Sequence, residues 1–177
     1  PGYAGQREAR MATDTTTASE RRSALLSGAG FGLTSGVLTT LGLIVGLNSG
    51  TDSRTAVAAG IATIAICDAL SDAMGIHVSQ ESSGTGTRSA WIAAGVTFAG
   101  KFLFAMSFLL PVLLLPLGAA VLVSIGWGLV LLTGFSWWIA RENGDDPKSV
   151  VAEHLTVAVV VLVASQLVGM AIDRLTD

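Results

Sequence analysis

The feature that most restricts this chain is a nearly continuous apolar stretch over residues 89–140. A helix rises about 1.5 Å per residue, so about 20 residues cross a hydrocarbon layer of about 30 Å, and the stretch is roughly twice that length. It must therefore fold back on itself. Pro111 and Pro116 mark the place, because proline lacks an amide donor and disturbs the helical turn before it. The sequence predicts two spans joined near these prolines.

Three further apolar stretches complete the pattern, separated by short polar segments. Hydrophobic residues make up 51% of the chain and charged residues only 13%, whereas a soluble domain carries roughly a quarter charged residues. This composition excludes a soluble enzyme, and we expect no enzymatic activity. Because lipid offers no partner for backbone amides and carbonyls, all spans should be helices. The sequence predicts an all-α polytopic membrane protein, one bundle of five transmembrane helices over residues 23–174, with spans at about 24–47, 55–78, 89–110, 114–140 and 150–172.

The N-terminal residues and the positions of the basic residues predict the orientation. Residues 1–22 are polar and lack the apolar core of a secretory signal, so we expect a disordered tail, of which residues 1–10, ahead of Met11, could be a cloning remnant. Basic residues concentrate on the N-terminal side, which predicts a cytoplasmic N-terminus and a C-terminus outside or in a lumen, in the cell membrane of a prokaryote. The membrane side that holds the N-terminus carries Arg7, Arg10, Arg21, Arg22, Arg88, Arg141 and Lys148. The opposite side carries only Arg54 and Arg174.

The lipid bilayer is the first partner that this composition implies. The few Lys and Arg form no stripe that could follow a phosphate backbone, so nucleic acid is not an expected partner. Cys67 is the only cysteine, which excludes an internal disulfide, and its apolar surroundings favour a role as a small hydrophobic residue.

Glycines recur at four-residue spacing in the first span, at Gly28, Gly32 and Gly36. Small residues on one stripe let two helix backbones approach closely in a membrane, so the pattern favours helix packing. Ser35 lies beside the stripe, and the alternative is that this helix forms a polar wall along a permeation path. Gly75 in the second span is also expected to serve packing.

Two acidic residues lie within the second span, where lipid should exclude them. Asp68 and Asp72 are four residues apart and therefore share one helix face, with Ser71 on the same side. An ionised carboxylate at membrane depth costs roughly 2.5–3.5 kcal/mol, and two on one face repel each other. A bound cation, a proton or a basic partner must offset this cost. Intramembrane ionisable residues indicate a functional site.

Lys101 is the expected basic partner. It lies about eleven residues inside the third span, and Asp68 lies about ten residues from the same membrane face in the second, so their depths match. One interpretation is a permanent buried ion pair. The other is a pair that opens, in which a metal ion or proton competes with the ammonium for Asp68 or Asp72. Ser35, at similar depth, could add a neutral oxygen.

A second group of candidate ligands lies near the end of the second span. His77 and Glu81 are four residues apart and could form a divalent cation site with imidazole and carboxylate ligands. The alternative is an exposed interfacial pair of small energetic value. Met74 could add a soft sulfur ligand or simply fill space. A haem protein using His77 and His154 is a further alternative.

These motifs together resemble the vacuolar iron transporter family, and the resemblance runs over almost the full length. SGVLTT at residues 35–40 is similar to the family's Asp-Gly-Leu-Val-Thr-Thr motif. CDALSDAMGIH at residues 67–77 is similar to its Ala-Asp-x-x-Ser-Met-x-x-Gly-(Glu/Asp)-Tyr motif, and LLPVLLLP at residues 109–116 to its Pro-containing hairpin. The resemblance implies a five-span homodimeric carrier that exchanges ferrous and related divalent cations against protons.

The chain departs from the family pattern at the cation-binding positions. Ser35 replaces the acidic residue of the first motif, Asp72 replaces the methionine of the second, and Ile76 replaces the acidic residue after the glycine. The polar segment at residues 79–88 is too short for the metal-binding insert of larger members. Lys101 has no counterpart in the pattern.

Residues and resemblance together predict a transporter of Fe²⁺ or Mn²⁺, coupled to protons, with no tightly bound cofactor. Lys101 is expected to compensate charge when the site is empty. The alternative is a non-transporting structural or partner-binding membrane protein in which Asp68 and Lys101 form a locked ion pair. The candidate metal-site residues are Asp68, Asp72, Ser35, Ser71, Met74, His77 and Glu81.

Overall fold

Residues 2–176 form six helices that pack into one bundle. The computed structural model describes the backbone of residues 2–176 and the side chains of residue 19 and residues 21–176. Within this part there is no β-strand, so the prediction of an all-α bundle is confirmed. The helices are α1 (Gly2–Thr51), α2 (Arg54–Ser82), α3 (Thr87–Ser107), α4 (Leu109–Leu114), α5 (Leu117–Asn143) and α6 (Pro147–Thr176).

Five helical segments are long and apolar enough to cross a membrane, which is the architecture of a multi-pass membrane protein. They are Arg21–Thr51, Arg54–Ser82, Thr87–Leu114, Leu117–Asn143 and Pro147–Thr176. Four of them extend beyond the predicted span at both ends, whereas Leu117–Asn143 begins and ends three residues later than the predicted 114–140. Polar residues at the ends of the spans continue the helix because the backbone hydrogen-bond ladder persists until a turn residue ends it, as Gly144 does after α5 with φ 79°.

The first helix also differs from expectation at its N-terminal end. α1 begins at Gly2, so its backbone is helical through residues 2–22, for which the sequence predicts a disordered tail. No proline occurs between Gly2 and Thr51, and extending an existing helix is far easier than nucleating one. The side chains of residues 1–18 and 20 lie outside the described residues.

The two prolines have different consequences for the predicted fold-back. Pro111 lacks the amide that would bond to the carbonyl of Ser107, and the helix is interrupted there, between α3 and α4. The chain reverses only at Pro116, before which Leu115 is extended, with φ −113° and ψ 158°. Arg54 at the start of α2 donates a hydrogen bond to the Leu115 carbonyl at 2.8 Å and ties this turn to the bundle.

α1 is the central helix, and the N-terminal part of its candidate membrane span, Arg21–Thr51, packs against α3 through the predicted glycine stripe. A Cβ on Gly28 would lie 2.5 Å from the carbonyl oxygen of Ala93, and one on Gly32 would lie 2.7 Å from that of Thr97. The Thr97 hydroxyl donates a hydrogen bond to the Gly28 carbonyl at 3.2 Å. Only glycine allows this separation of the two backbones.

The C-terminal part of the same span packs against α6 through a second set of glycines. A Cβ on Gly42 would lie 3.0 Å from the Ser165 hydroxyl, and one on Gly50 would lie 3.1 Å from the Gly169 carbonyl oxygen. α1 therefore changes its close partner from α3 to α6 along its length.

Candidate functional site

The inward face of α2 consists mainly of small and β-branched residues at four-residue spacing. Its buried residues are Val57, Ile61, Ala65, Ala69, Ala73 and His77. Alanine at three of these positions lets α3 pack closely against α2. Asp68 and Asp72 lie beside this face, and both are half-buried. Their carboxylates therefore reach the contact with α3 without being fully enclosed by it.

Lys101 enters the same region from α3. It lies one turn after Thr97, and its side chain is only 1% exposed. Gly36 on α1 provides the space, because a Cβ there would lie 3.1 Å from Lys101 Cγ. Gly36, the third glycine of the stripe, thus makes room for the Lys101 side chain, whereas Gly28 and Gly32 make room for the backbone of α3.

The Lys101 ammonium bridges both carboxylates and a hydroxyl. Its Nζ lies 2.6 Å from Asp68 Oδ2, forms a very short contact with Asp72 Oδ2, and donates a hydrogen bond to Ser35 Oγ at 2.9 Å. Ser35 in turn donates to Asp72 Oδ2 at 2.8 Å. Asp68 Oδ2 is buried and its contact with Lys101 does not have hydrogen-bond angles, so that contact is an ion pair at close distance. We call Ser35, Asp68, Asp72 and Lys101 the ion cluster.

The ion cluster carries one net negative charge, from two carboxylates and one ammonium. No described residue bonds to the Oδ1 atom of either aspartate. The side chain of Asp68 is 32% exposed and that of Asp72 is 21% exposed, so the cluster opens toward the surface of the bundle at the flank of α2. Such an arrangement can accept a further positive species from that side, since an unbalanced carboxylate in a membrane favours a cation or a proton.

The outward face of α2 carries a feature that our sequence analysis missed. Seven residues at four-residue spacing are all small and all exposed. We call them the small-residue face: Thr55, Ala59, Thr63, Cys67, Ser71, Gly75 and Ser79. The spacing is readable from the sequence, but only the structure shows that no described helix covers this face.

The remaining predicted ligands do not converge on the ion cluster. Ser71 and Gly75 belong to the small-residue face, and Met74 is also exposed. His77 is buried, and its ring packs against Trp91 with 4.1 Å between the ring centroids and 35° between the ring planes. Its Nε2 lies 3.6 Å from Glu81 Oε1, while its Nδ1 is buried and forms no hydrogen bond with any described residue. The structure therefore brings His77 and Glu81 together, and it places Met74 on the exposed side of the helix.

The two histidines contact different helices. His154 Nδ1 lies 2.7 Å from Ser136 Oγ, between α5 and α6, whereas His77 contacts Trp91 of α3. Among the described residues, no group of three or more His, Cys, Asp or Glu side chains is close enough to hold a metal ion. The described residues thus offer two separate pairs of candidate ligands, Asp68 with Asp72 and His77 with Glu81.

Fold and site together define a multi-pass, all-α protein in which a buried ammonium joins two carboxylates from a neighbouring span. No protein-family model, no curated protein and no solved structure matches the chain.

Proposed function

We propose that this protein is a membrane carrier of divalent cations of the Fe²⁺ and Mn²⁺ class, which it exchanges for protons. The ion cluster carries the proposal, because Asp68 and Asp72 lie within a span, remain partly exposed and retain a net negative charge beside Lys101. Placing such a cluster in lipid is unfavourable unless a positive species neutralises it. Carboxylate and hydroxyl oxygens favour hard divalent ions such as Mn²⁺.

Lys101 supplies the resident charge in this mechanism. It occupies the space between the carboxylates when no cargo is bound, and an entering cation competes with it for Asp68 and Asp72. A divalent ion adds two positive charges to a cluster with one net negative charge, so release of one proton from Lys101 leaves the occupied site neutral.

The carrier acts as a homodimer in this proposal, with the small-residue face of α2 at the contact between the two copies. Small residues at four-residue spacing support close helix approach in membranes. Covering this face would also shield Asp68 and Asp72 from lipid. We place the N-terminus in the cytoplasm of a prokaryotic cell, because Lys and Arg concentrate on the N-terminal side.

Cation uptake into proteoliposomes tests the proposal. The assay has Mn²⁺ outside and a pH gradient across the membrane, and Asp68→Asn and Asp72→Asn should each reduce the initial uptake rate at least about tenfold. Loss of even a residue that hydrogen-bonds to a metal ligand typically lowers metal affinity or activity about 10–100-fold. Asp52→Asn is the matched control. Asp52 lies between α1 and α2 with φ 43°, a conformation that asparagine also tolerates.

A second candidate function is a non-transporting structural protein with a locked ion pair. The contacts of Lys101 with Ser35 and both carboxylates favour it. Under this alternative, the parent protein gives no more Mn²⁺ uptake than protein-free liposomes. Equal uptake by the parent and both aspartate variants would also remove the ion cluster from the transport mechanism.

Cross-linking through Cys67 tests the proposed dimer. Cys67 is the only cysteine and lies on the small-residue face, so mild oxidation in native membranes should produce a covalent dimer on a non-reducing gel. In a Cys67→Ala background, Thr63→Cys and Ser71→Cys should cross-link, since they share that face. Val160→Cys, on the exposed side of α6, serves as the control. Equal cross-linking at Val160 and at the α2 positions, or none on α2, would contradict the dimer.

A further inference from the structure

A polar cleft lies where α1 enters the bundle and α5 ends, on the side of the α2–α3 and α5–α6 connections. Its volume is about 450 Å³, within the range of small-molecule sites. The candidate membrane span of α1 begins at Arg21 and that of α5 ends at Asn143, and we place the membrane–water boundary at these ends, beside the cleft. It is lined by Ser19, Arg22, Ser23, Leu26, Ser27, Gly30, Ile139 and Asn143.

The cleft changes from polar to apolar along α1. Arg22, Ser23 and Asn143 line its outer part, and Leu26, Gly30 and Ile139 line its inner part. From residue 19 to residue 30 the helix rises about 16 Å, which exceeds the depth of one headgroup layer and enters the hydrocarbon region. A ligand that fits this cleft has a polar end that faces water and an apolar end that faces the hydrocarbon region, as a bilayer lipid does.

An ion pair at the rim of the cleft gives the polar end a specific chemistry. Arg22 Nη2 lies 2.5 Å from Glu142 Oε2, and the two side chains are 69% and 33% exposed. Guanidinium has five N–H donors and this contact uses one of them. The pair therefore presents an accessible positive group and an accessible negative group side by side.

We propose that this cleft binds one membrane phospholipid whose headgroup carries both a phosphate and a primary ammonium, as in phosphatidylethanolamine. The phosphate accepts hydrogen bonds from Arg22, the Ser23 hydroxyl and the Asn143 amide, and the ammonium donates to Glu142. An acyl chain lies over Gly30, where a Cβ would meet no atom within 4 Å. A choline headgroup has no N–H to donate, and a glycerol headgroup has only neutral hydroxyls and so brings no cation to Glu142.

Native mass spectrometry of the full-length protein with an equimolar mixture of phosphatidylethanolamine, phosphatidylcholine and phosphatidylglycerol tests the proposal. We expect one retained phosphatidylethanolamine per chain. Arg22→Gln should weaken its retention about tenfold, the change that corresponds to one charge-assisted hydrogen bond. Glu142→Gln should instead abolish the preference for phosphatidylethanolamine over phosphatidylcholine.

Two further variants keep the result interpretable. Arg21→Gln removes the same charge from the neighbouring position, which does not line the cleft, and should retain lipid as the parent does. Gly30→Leu fills the apolar end without removing any charge, and it should reduce retention of all three lipids even if Arg22→Gln fails to fold. Equal retention of the three lipids by the parent, or parental retention in Gly30→Leu, would overturn the proposal.

Discussion

Replacing Lys101 with methionine is expected to lower the free energy of unfolding by about 3 kcal/mol. The substitution preserves most of the side-chain volume but leaves Asp68 and Asp72 facing each other without a cation. Removing one partner of a buried ion pair typically costs about 3–5 kcal/mol, and the lower end applies because both aspartates are partly exposed. Unfolding in mixed detergent micelles, followed by circular dichroism, measures the change.

The combined variant Asp68→Asn, Asp72→Asn, Lys101→Met separates charge balance from packing. It removes all three charges and retains similar volumes, so it should recover most of the stability that Lys101→Met alone loses. Lys148→Met is the control, because Lys148 is exposed in the first turn of α6. Equal stability of Lys101→Met and Lys148→Met would show that the ion cluster does not stabilise the bundle.

Gly32→Ala should destabilise the bundle by about 1–3 kcal/mol, the usual cost of overpacking a close contact. The added methyl group would lie 2.7 Å from the Thr97 carbonyl oxygen, and backbone cannot move aside as a flexible side chain can. Alanine normally stabilises a helix by about 1 kcal/mol relative to glycine, so a loss of stability would isolate the effect of the α1–α3 contact. The same unfolding measurement in detergent micelles determines it.

Gly95→Ala is the matched control for this substitution. Gly95 lies on α3, and a Cβ there would meet no atom within 4 Å, so the variant should be as stable as the parent or slightly more stable. Gly32 lies one turn from Gly36, which makes room for Lys101. Separation of α1 from α3 at Gly32 should therefore also weaken the hydrogen bond from Lys101 Nζ to Ser35 Oγ. If the Gly32→Ala protein were at least as stable as Gly95→Ala, that result would contradict the close packing of α1 against α3.

The sequence was sufficient to place Lys101 beside the aspartates. The helical rise gives each residue's depth from its distance along the span, so Asp68 and Lys101 could be matched by counting. The five spans follow from the same arithmetic. The sequence locates the fold-back less accurately, because both Pro111 and Pro116 interrupt a helix. Only packing determines at which of the two prolines the chain reverses.

Orientation around each helix axis was harder to predict than depth. The spacing of Asp68 and Asp72 puts them on one face, yet it does not say which neighbour that face meets. Met74 and His77 illustrate the difficulty, since one is exposed and the other is buried against Trp91. The apolar surroundings of a membrane give no polarity contrast that would mark the lipid side of a small residue such as Ser71.

The exchange of partners along α1 has a consequence for how the molecule is made. Gly42 and Gly50 contact Ser165 and Gly169 of α6, which is synthesised after α2 to α5. Until that span has entered the bilayer, the face of α1 that carries Gly42 and Gly50 is uncovered, although Gly28 and Gly32 can already pack against α3. Adding hairpins one after another is therefore not sufficient for assembly, and an intermediate with an exposed glycine groove must persist until α6 has entered the bilayer.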